Sequence, residues 1–334
     1  MTDKLIIAHR GASGYLPEHT LESKALAHAM GAPYLEQDLA LSRDDQLIVI
    51  HDHYLDRVTD VAEVFPGRQR ADGRYYVIDF TLDELRRLRF SEGFKLVDGR
   101  RVPVFEGRFP LFRSRFALHT FEEEIEFIQG LNATTGREAG LYVETKAPWF
   151  HKQEGKDISR ATLKVLKRYG YTSKESKVFF QTFDYPDLQY VKGTLFPELN
   201  MELKTILLIT DDPRETQVLK DGLWVPMDTD YLLNPENFEE IARYADGVGP
   251  DYHLLIDGAH SLQGTIVPNA LTSQYRAAGL AVHPWTVRAD ALPDYAATVE
   301  ELFAALLDKA GCDGLFTDFP DRALNFLQRR RQGA

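Results

Sequence analysis

Short apolar runs of β character recur along this chain of 334 residues, and helical patterns separate most of them. This alternation is typical of a parallel sheet covered by helices. Eight such units predict an α/β fold of the closed (β/α)8 type, the TIM barrel. The alternative is a doubly wound open sheet, but the glycine-rich fingerprint expected after its first strand is missing. The eight runs fall at residues 4–8, 34–38 (with a partner run at 46–50), 140–145, 177–181, 205–209, 246–250, 280–285 and 313–317.

One segment, residues 53–118, interrupts the alternation. It is rich in Arg, Gly, Asp and Pro, and its only clear helical pattern covers residues 81–89. A loop of this length in a compact domain is usually a functional insertion. We therefore predict one domain over residues 1–334 with a small inserted subdomain at 53–118, on the rim of the barrel where it walls or covers a pocket. The other helical patterns cover residues 20–30, 120–131, 158–169, 235–245, 269–278, 299–310 and 320–330.

Polar and titratable residues follow the predicted strands at the point where each strand ends. In a (β/α)8 barrel the carboxyl ends of the strands carry the active site, so these residues are expected to share one mouth. Solubility alone does not explain them, because Asn, Gly or Ser would serve equally well there. The residues concerned are His9, Arg10, Glu36, Asp38, His51, Asp52, Glu144, Lys146, Gln181, Phe183, His283, Trp285 and Asp318.

Three of these residues are carboxylates that suit a divalent cation. Glu36 and Asp38 are two apart on one strand, so their side chains point to the same side. Glu144 ends the next barrel strand. Like charges this close need a cation or a shared proton, and oxygen ligands suit Ca2+ or Mg2+ better than Zn2+. The sequence therefore predicts a metal site formed by Glu36, Asp38 and Glu144, with Ca2+ as the expected ion and Mg2+ as the alternative.

Two histidines at neighbouring strand ends, His9 and His51, form a candidate acid–base pair, because imidazoles titrate near neutrality. Arg10 and Lys146 add fixed positive charge that suits an anionic substrate. Aromatic side chains at two further strand ends, Phe183 and Trp285, are candidates for an apolar wall, although core packing explains them equally well.

Composition narrows the range of partners. The net charge of -12 argues against nucleic acid or an anionic membrane as the main partner. No segment reaches the roughly 20 apolar residues of a membrane span. Cys312 is the only cysteine, which excludes an internal disulfide, and its small apolar surroundings favour a buried structural role.

The strand-end motifs together resemble those of bacterial glycerophosphodiester phosphodiesterases, and the calcium-dependent periplasmic members in particular. The likeness covers essentially the whole chain, the insertion included. It is carried by His9-Arg10-Gly11-Ala12, Pro17-Glu18-His19-Thr20, Glu36-Gln37-Asp38, His51-Asp52 and Glu144-Thr145-Lys146, and by the stretches HDHYLDRVTDVA, KAPWFHKQEGKDI, YADGVGPDYH and GLFTDFPD.

The resemblance implies a (β/α)8 barrel with a small insertion that hydrolyses glycerophosphodiesters, such as glycerophosphocholine and glycerophosphoethanolamine, to sn-glycerol 3-phosphate and an alcohol. It implies that His9 and His51 are the acid–base pair and that Glu36, Asp38 and Glu144 hold Ca2+. It also implies that Arg10 and Lys146 contact the phosphate and that Phe183 and Trp285 line the glycerol side.

Some residues depart from the resembled pattern. Many relatives have Asn in place of His19 and a branched aliphatic residue in place of Thr145, and Trp285 stands where a close relative has Tyr. The role of His19 and the shape of the glycerol pocket are therefore left open at this point.

The implied partners are small glycerophosphodiesters, with no nucleic acid and no stable membrane insertion, and a homodimer is left open. The resemblance, together with a chain that starts just before its first strand, favours a periplasmic location over a cytoplasmic one. A phospholipase-type enzyme acting on intact lipids and a non-catalytic, metal-dependent binding protein remain the alternative functions.

Overall fold

The computed structural model describes residues 4–212 and 216–332. In these ranges the strands are β1 Leu5–Ala8, β2 Tyr34–Leu41, β3 Leu47–Val49, β4 Phe94–Val97, β5 Arg100–Pro103, β6 Gly140–Thr145, β7 Val178–Thr182, β8 Lys204–Ile209, β9 Gln217–Lys220, β10 Leu223–Pro226, β11 Gly247–Pro250, β12 Ala281–Val282 and β13 Gly314–Thr317. The α-helices are α1 Leu21–Met30, α2 Val61–Val64, α3 Leu82–Leu85, α4 Phe121–Thr135, α5 Pro148–Gln153, α6 Ile158–Arg168, α7 Tyr185–Tyr190, α8 Phe196–Leu199, α9 Asp230–Leu233, α10 Phe238–Ile241, α11 Leu271–Ala277, α12 Val299–Phe303 and α13 Pro320–Gln332.

Eight parallel strands form the central sheet, in the spatial order β12, β11, β8, β7, β6, β2, β1, β13. The two ends of this order meet. The backbone N–H of Asp313 donates to the carbonyl oxygen of Val282 at 2.9 Å, and the N–H of Phe316 donates to that of Pro284 at 2.9 Å. These bonds join β12 and its continuation to β13 and close the ring. The predicted (β/α)8 barrel is confirmed within the described residues, and the open-sheet alternative is wrong.

Local sequence explains why the barrel forms where it does. Every residue of β2 is buried, as expected of a strand covered on both faces. Helix α1 starts at Thr20, whose hydroxyl accepts from the Ser23 N–H, and ends at Gly31, whose φ of 88° suits glycine. Helix α4 starts with a capping box formed by Thr120 and Glu123. These caps define where the helices begin and end. They therefore help to set the position at which the chain re-enters the barrel as the next strand.

The segment after β3 carries the predicted insertion. It contains the antiparallel hairpin of β4 and β5 and the short helices α2 and α3. Its buried side chains, Phe80, Leu85 and Phe90 among them, form a second apolar cluster that packs on Ile48 and Ile50 at the side of the barrel. The small inserted element is thus confirmed, while its bounds at 53–118 stay a prediction.

Several elements differ from the predicted pattern. The helix predicted at residues 81–89 is confined to α3, Leu82–Leu85. Residues 235–245, predicted as one helix, form the single turn Pro235–Asn237 followed by α10. The run at 280–285 forms only a two-residue strand, β12. A helical stretch that was not predicted runs from α7 through a wider π-type turn at Val191–Leu195 into α8. No helix of the described residues is long and apolar enough to cross a membrane.

Candidate active site

A cavity of about 390 Å³ opens at the carboxyl ends of the barrel strands. All nine residues predicted as site residues line it. The structure therefore brings together side chains from the carboxyl ends of β1, β6 and β7, from the middle of β2 and from the loops after β3 and β12. The predicted end of the second strand at Asp38 is wrong, because β2 continues to Leu41. The nine are His9, Arg10, Glu36, Asp38, His51, Glu144, Lys146, Phe183 and Trp285; Gln181, Thr286, Arg288, Leu208 and Phe316 complete the wall.

The three carboxylates of the predicted metal site converge on one side of this cavity. Glu36 and Asp38 lie two apart on β2, and Asp38 pairs directly with Glu144 in the register of β2 and β6. The backbone N–H of Arg10 donates to Glu36 Oε2 at 2.6 Å, and Lys146 Nζ lies 2.7 Å from Glu144 Oε1. The carboxylates are buried, so their charges interact strongly.

The titration of this cluster fits a bound cation. Burial, followed by the charge of Asp38, raises the pKa of Glu36 well above its usual range. Burial also raises the pKa of Glu144, with Asp38 adding to the effect. Burial alone would raise the pKa of Asp38 too, but the hydrogen bond from His19 and nearby positive charge hold it well below its usual range. The raised pKa values favour the protonated forms of Glu36 and Glu144, and a bound cation would favour their ionised forms.

One oxygen of the cluster has no donor. Asp38 Oδ1 is buried and accepts no hydrogen bond from any nitrogen or hydroxyl of the described chain. A buried oxygen of this kind calls for an explanation, and a metal ion would supply one. The carboxylates of Glu36 and Asp38 are donors that suit a divalent cation, while Glu144 pairs with Asp38 in the strand register and with Lys146 through its side chain.

His19 belongs to the same cluster, which sequence reasoning missed. It offers a ligand atom within 4.8 Å of ligand atoms of Glu36 and Asp38, and its Nε2 lies 2.7 Å from Asp38 Oδ2. His19 is fully enclosed at a backbone φ of 60°, just before Thr20 begins α1. The signal was its place in the Pro17-Glu18-His19-Thr20 motif, but the sequence does not show that this loop folds back onto β2. A possible buried metal site of His19, Glu36 and Asp38 is thus present, with Glu144 beside it.

A fully buried lysine supports Glu36 from behind. Lys24 Nζ donates to the backbone carbonyl of Glu36 and lies 3.0 Å from Glu124 Oε1. The other oxygen of Glu124 lies 2.6 Å from Nε2 of His119. His119, left without a role at the level of sequence, thus belongs to this supporting network and does not line the cavity. The network fixes the strand that carries Glu36 and Asp38.

The first candidate histidine, His9, follows β1 and binds a carboxylate from the far end of the chain. Its Nδ1 lies 2.6 Å from Asp318 Oδ1. Burial alone would raise the pKa of Asp318, but the charge of Arg288, the hydrogen bond of His9 and the charge of Arg108 hold it well below its usual range. Asp318 is therefore ionised, so His9 Nδ1 donates and Nε2 keeps its lone pair. Burial, followed by the charge of Arg10, lowers the pKa of His9 to about 3.

The second candidate histidine, His51, binds the carboxylate next to it. Its Nδ1 lies 2.6 Å from Asp52 Oδ1, and Arg57 Nε donates to Asp52 Oδ2 at 2.9 Å. Burial, then the charges of Arg10 and Lys146, lower the pKa of His51. Its side chain is 28% exposed, against 11% for His9. Both histidines line the cavity, and each is held at Nδ1 by an ionised carboxylate. Nε2 of His9 accepts from Arg10 Nε at 3.2 Å, and Nε2 of His51 lies 3.5 Å from Lys146 Nζ.

The remaining predicted residues provide charge and an apolar wall. Arg10 Nη1 lies 2.7 Å from Glu18 Oε2, and its Nε approaches Asp38 Oδ2 at 3.6 Å. Lys146 Nζ stands over the Phe183 ring at 5.3 Å. The rings of Phe183 and Trp285 meet edge to face at 5.5 Å between centroids. The cavity thus has charge on one side and an aromatic wall on the other.

The chain is similar to known proteins in sequence and in fold. The sequence model described as "Glycerophosphoryl diester phosphodiesterase family" matches residues 9–322. A glycerophosphodiester phosphodiesterase of Haemophilus influenzae is 53% identical over 330 residues, which cover 98% of this chain and 90% of that protein.

Solved structures show the same fold. A putative glycerophosphoryl diester phosphodiesterase from Silicibacter pomeroyi aligns with a TM-score of 0.68 at 22% identity, over 98% of this chain and 94% of that one. A phosphodiesterase of Oleispira antarctica, solved in complex with the product sn-glycerol-3-phosphate, aligns with a TM-score of 0.61 at 23% identity, over 97% and 96% of the two chains.

Proposed function

This chain belongs to the glycerophosphoryl diester phosphodiesterase family, and we propose that it hydrolyses glycerophosphodiesters at the barrel mouth by acid–base catalysis with His9 and His51. The proposed substrates are water-soluble diesters such as glycerophosphocholine and glycerophosphoethanolamine, and the proposed products are sn-glycerol 3-phosphate and an alcohol. One observation carries the proposal. Two histidines, each oriented by a carboxylate, face the same cavity as three carboxylates that fit a divalent cation.

Different residues of the site bind the phosphate and transfer the protons. Arg10 and Lys146 bind the phosphate through charge. Glu36 accepts from the backbone N–H of Arg10, and Glu144 pairs with the side-chain ammonium of Lys146. One histidine removes a proton from the nucleophile through Nε2. Both imidazoles have lowered pKa values without substrate, and the negative charge of a bound phosphate favours the protonated form of the other, which donates to the departing alkoxide oxygen. Asp318 and Asp52 hold the imidazoles in the tautomer that this exchange requires.

We assign the resident ion to Glu36, Asp38 and Glu144, with His19 beside them, and we propose Ca2+, with Mg2+ as the alternative. A divalent cation bound there supplies positive charge to the phosphoryl oxygens. Phe183 and Trp285 offer the glycerol carbons an apolar surface.

Chelation tests the metal requirement. Treatment with EDTA should abolish release of sn-glycerol 3-phosphate from glycerophosphocholine, and Ca2+ should restore it more fully than Mg2+. The matched controls are Glu36→Gln and Glu144→Gln, which should stay inactive after Ca2+ is returned. Full turnover in the chelated protein would contradict the proposal.

Metal binding should also be visible without turnover. The pKa values of Glu36 and Glu144 are raised, so these groups hold protons that a cation must displace. The rise in Tm caused by Ca2+ should therefore be larger at pH 8 than at pH 5. Calorimetry at the two pH values, with Glu144→Gln as the control, measures this difference. An equal rise at both values would argue against a site made of these carboxylates.

The nucleophile and the choice between soluble diesters and intact lipids need separate measurements. A cyclic glycerophosphate trapped in single-turnover reactions would show attack by the substrate hydroxyl, and direct entry of solvent oxygen would show attack by water. Faster turnover on phospholipid micelles than on soluble diesters would favour the phospholipase alternative.

We further propose a periplasmic location, which rests on the resemblance of the sequence alone, and fractionation of cells that make the native gene product tests it. The oligomeric state, with a homodimer as the open alternative, is measured by light scattering.

A further inference from the structure

A second cavity lies beside the first, on the other side of the histidine pair. It measures about 550 Å³ and is walled partly by Val104, Phe105 and Arg108 of the insertion. The two cavities share four residues, His9, Arg10, His51 and Arg288. The groups assigned to proton transfer and one of the phosphate-binding groups therefore stand at the boundary between two spaces.

A phosphodiester has two halves that meet at phosphorus, so a boundary of this kind suits its geometry. The first cavity has the carboxylate cluster and the aromatic wall of Phe183 and Trp285. It suits the glycerol half, which all glycerophosphodiesters share. The second cavity is the larger of the two and suits the alcohol, which varies from one substrate to the next.

Charge in the second cavity is arranged around arginines. Arg57 is held by Asp52 and Glu18, and Arg108 is held by Asp290 and Asp318. Arg288 differs from these two. Its Nε donates to Asp318 at 2.9 Å, but no described residue accepts from its two terminal nitrogens. Its side chain is 27% exposed, whereas that of Arg108 is 5% exposed. Both terminal nitrogens of Arg288 are thus available to a ligand, whereas Arg57, 26% exposed, has one of its two bound to Glu18.

The aromatic ring in this cavity does not form a cation-binding cage. The guanidinium carbon of Arg108 lies 3.8 Å from the centroid of Phe105, and that of Arg288 lies 5.5 Å from it. A quaternary ammonium group needs an open aromatic face and nearby negative charge. Here it would meet two guanidinium groups, and the carboxylates of the lining, Glu18 and Asp318, are already paired with arginines. Hydroxyl or carboxylate oxygens would instead find hydrogen-bond donors.

We propose that the second cavity binds the alcohol half of the substrate, and that Arg288 makes this subsite prefer head groups with hydroxyl or carboxylate oxygens over those with a quaternary ammonium. The inference rests on the proposed hydrolysis of glycerophosphodiesters and narrows its substrate class. It assigns the insertion a part in shaping this subsite, because Val104 and Phe105 belong to that segment.

Substrate ratios test the role of Arg288. We expect kcat/KM for glycerophosphoglycerol and glycerophosphoserine to exceed that for glycerophosphocholine by about 10-fold, the size of one favourable charge contact. Arg288→Met should bring the ratio close to one, and Arg288→Glu should invert it. Because every substrate has the same glycerophosphate half, general damage to Asp318 and His9 lowers all rates alike and leaves the ratio unchanged.

Arg108→Lys is the matched control, because Arg108 also binds Asp318 but its nitrogens are already engaged. It should lower all rates together and keep the ratio. Equal efficiency on all head groups in the unmodified enzyme, or a ratio unmoved by Arg288→Glu, would overturn the proposal. Absence of hydrolysis with every substrate would instead refute the proposed function.

A bulky side chain tests which cavity receives the alcohol. Val104 lines the second cavity and is 40% exposed, so Val104→Trp should narrow this space without disturbing the core. It should lower kcat/KM for glycerophosphoinositol by about 10-fold more than for the methyl diester of glycerol 3-phosphate. Val97→Trp, on β4 and outside the cavity lining, is the control and should leave both values unchanged. An equal effect of Val104→Trp on both substrates would place the alcohol elsewhere.

Discussion

The two candidate histidines make the same kind of contact in two different ways. His51 binds Asp52, its neighbour in sequence, and Arg57 of the insertion fixes that carboxylate. His9 binds Asp318, which lies 309 residues away and is shared with Arg108 and Arg288. The His51–Asp52 contact joins neighbours in sequence. The His9–Asp318 contact forms only when the first and last barrel strands pair. Two histidines with the same kind of carboxylate contact can therefore depend on tertiary structure to very different degrees.

Removing each imidazole should give the largest effect. We expect His9→Ala and His51→Ala each to lower kcat by about 10³-fold on natural diesters, since each side chain transfers a proton. On a diester of glycerol 3-phosphate with p-nitrophenol, the leaving group departs without a proton. The variant that lacks the acid should therefore recover most of its rate on this substrate, while the variant that lacks the base should not. Equal losses on both substrates would show that neither histidine acts as the acid.

Neutralising the carboxylates that bind the two histidines should lower kcat less than removing the imidazoles. The loss should differ between the two carboxylates. Asp318→Asn should lower kcat by about 100-fold and Asp52→Asn by about 10-fold, because Asp318 serves one histidine and two arginines. Asp318→Asn should also cost about 3 kcal/mol in the free energy of unfolding, since it leaves buried positive charge unpaired. Urea unfolding and steady-state rates measure both effects.

Asp290→Asn is the control for this pair, because Asp290 binds Arg108 at the rim and makes no contact with His9. It should change kcat little. Equal losses for Asp318→Asn and Asp52→Asn would remove the contrast between the two histidine–carboxylate contacts.

The smallest expected effect is on the loss of thermal stability at acid pH. The folded-state pKa of His9 is about 3, below its unfolded value of about 6.5, so the unfolded chain binds the extra proton first. The stability that neutral His9 contributes is full above pH 6.5 and is lost as the pH falls toward 3. We expect His9→Gln to reduce the fall in Tm between pH 7 and pH 4.5. His51→Gln should reduce it less, because the imidazole of His51 is more exposed. Thermal unfolding of the chelated proteins checks this, and a larger reduction for His51→Gln would reverse the comparison.

The contrast between the two histidine–carboxylate contacts also shows which features of the site could be predicted from the sequence and which could not. The positions of β1 and β6 were predictable, because an apolar run that stops at His9 or Glu144 marks a strand and its carboxyl end. The end of β2 was not, because the strand continues past Glu36 and Asp38 to Leu41. The pairing of His9 with Asp318 was not, because nothing in either local sequence indicates contact across the closing seam. Arg57 and Arg108 lie in an insertion without regular periodicity, so their direction toward the mouth depends on tertiary packing.

The helix missed after β7 has a local cause. The stretch from α7 to α8 contains Gly193 and Pro197, which normally interrupt helices. The structure accommodates Gly193 in the wider turn and Pro197 in the first turn of α8, where a missing N–H costs little. Buried Leu188, Val191 and Leu195 pack this helix on the barrel and override the local preference.

The contact of Asp318 with His9 also has a consequence for synthesis on the ribosome. A nascent chain released or cleaved before residue 318 has every other residue assigned to proton transfer but no partner for its first histidine. Truncated chains should therefore be inactive, and only a polypeptide synthesised up to the start of its last helix should have catalytic activity.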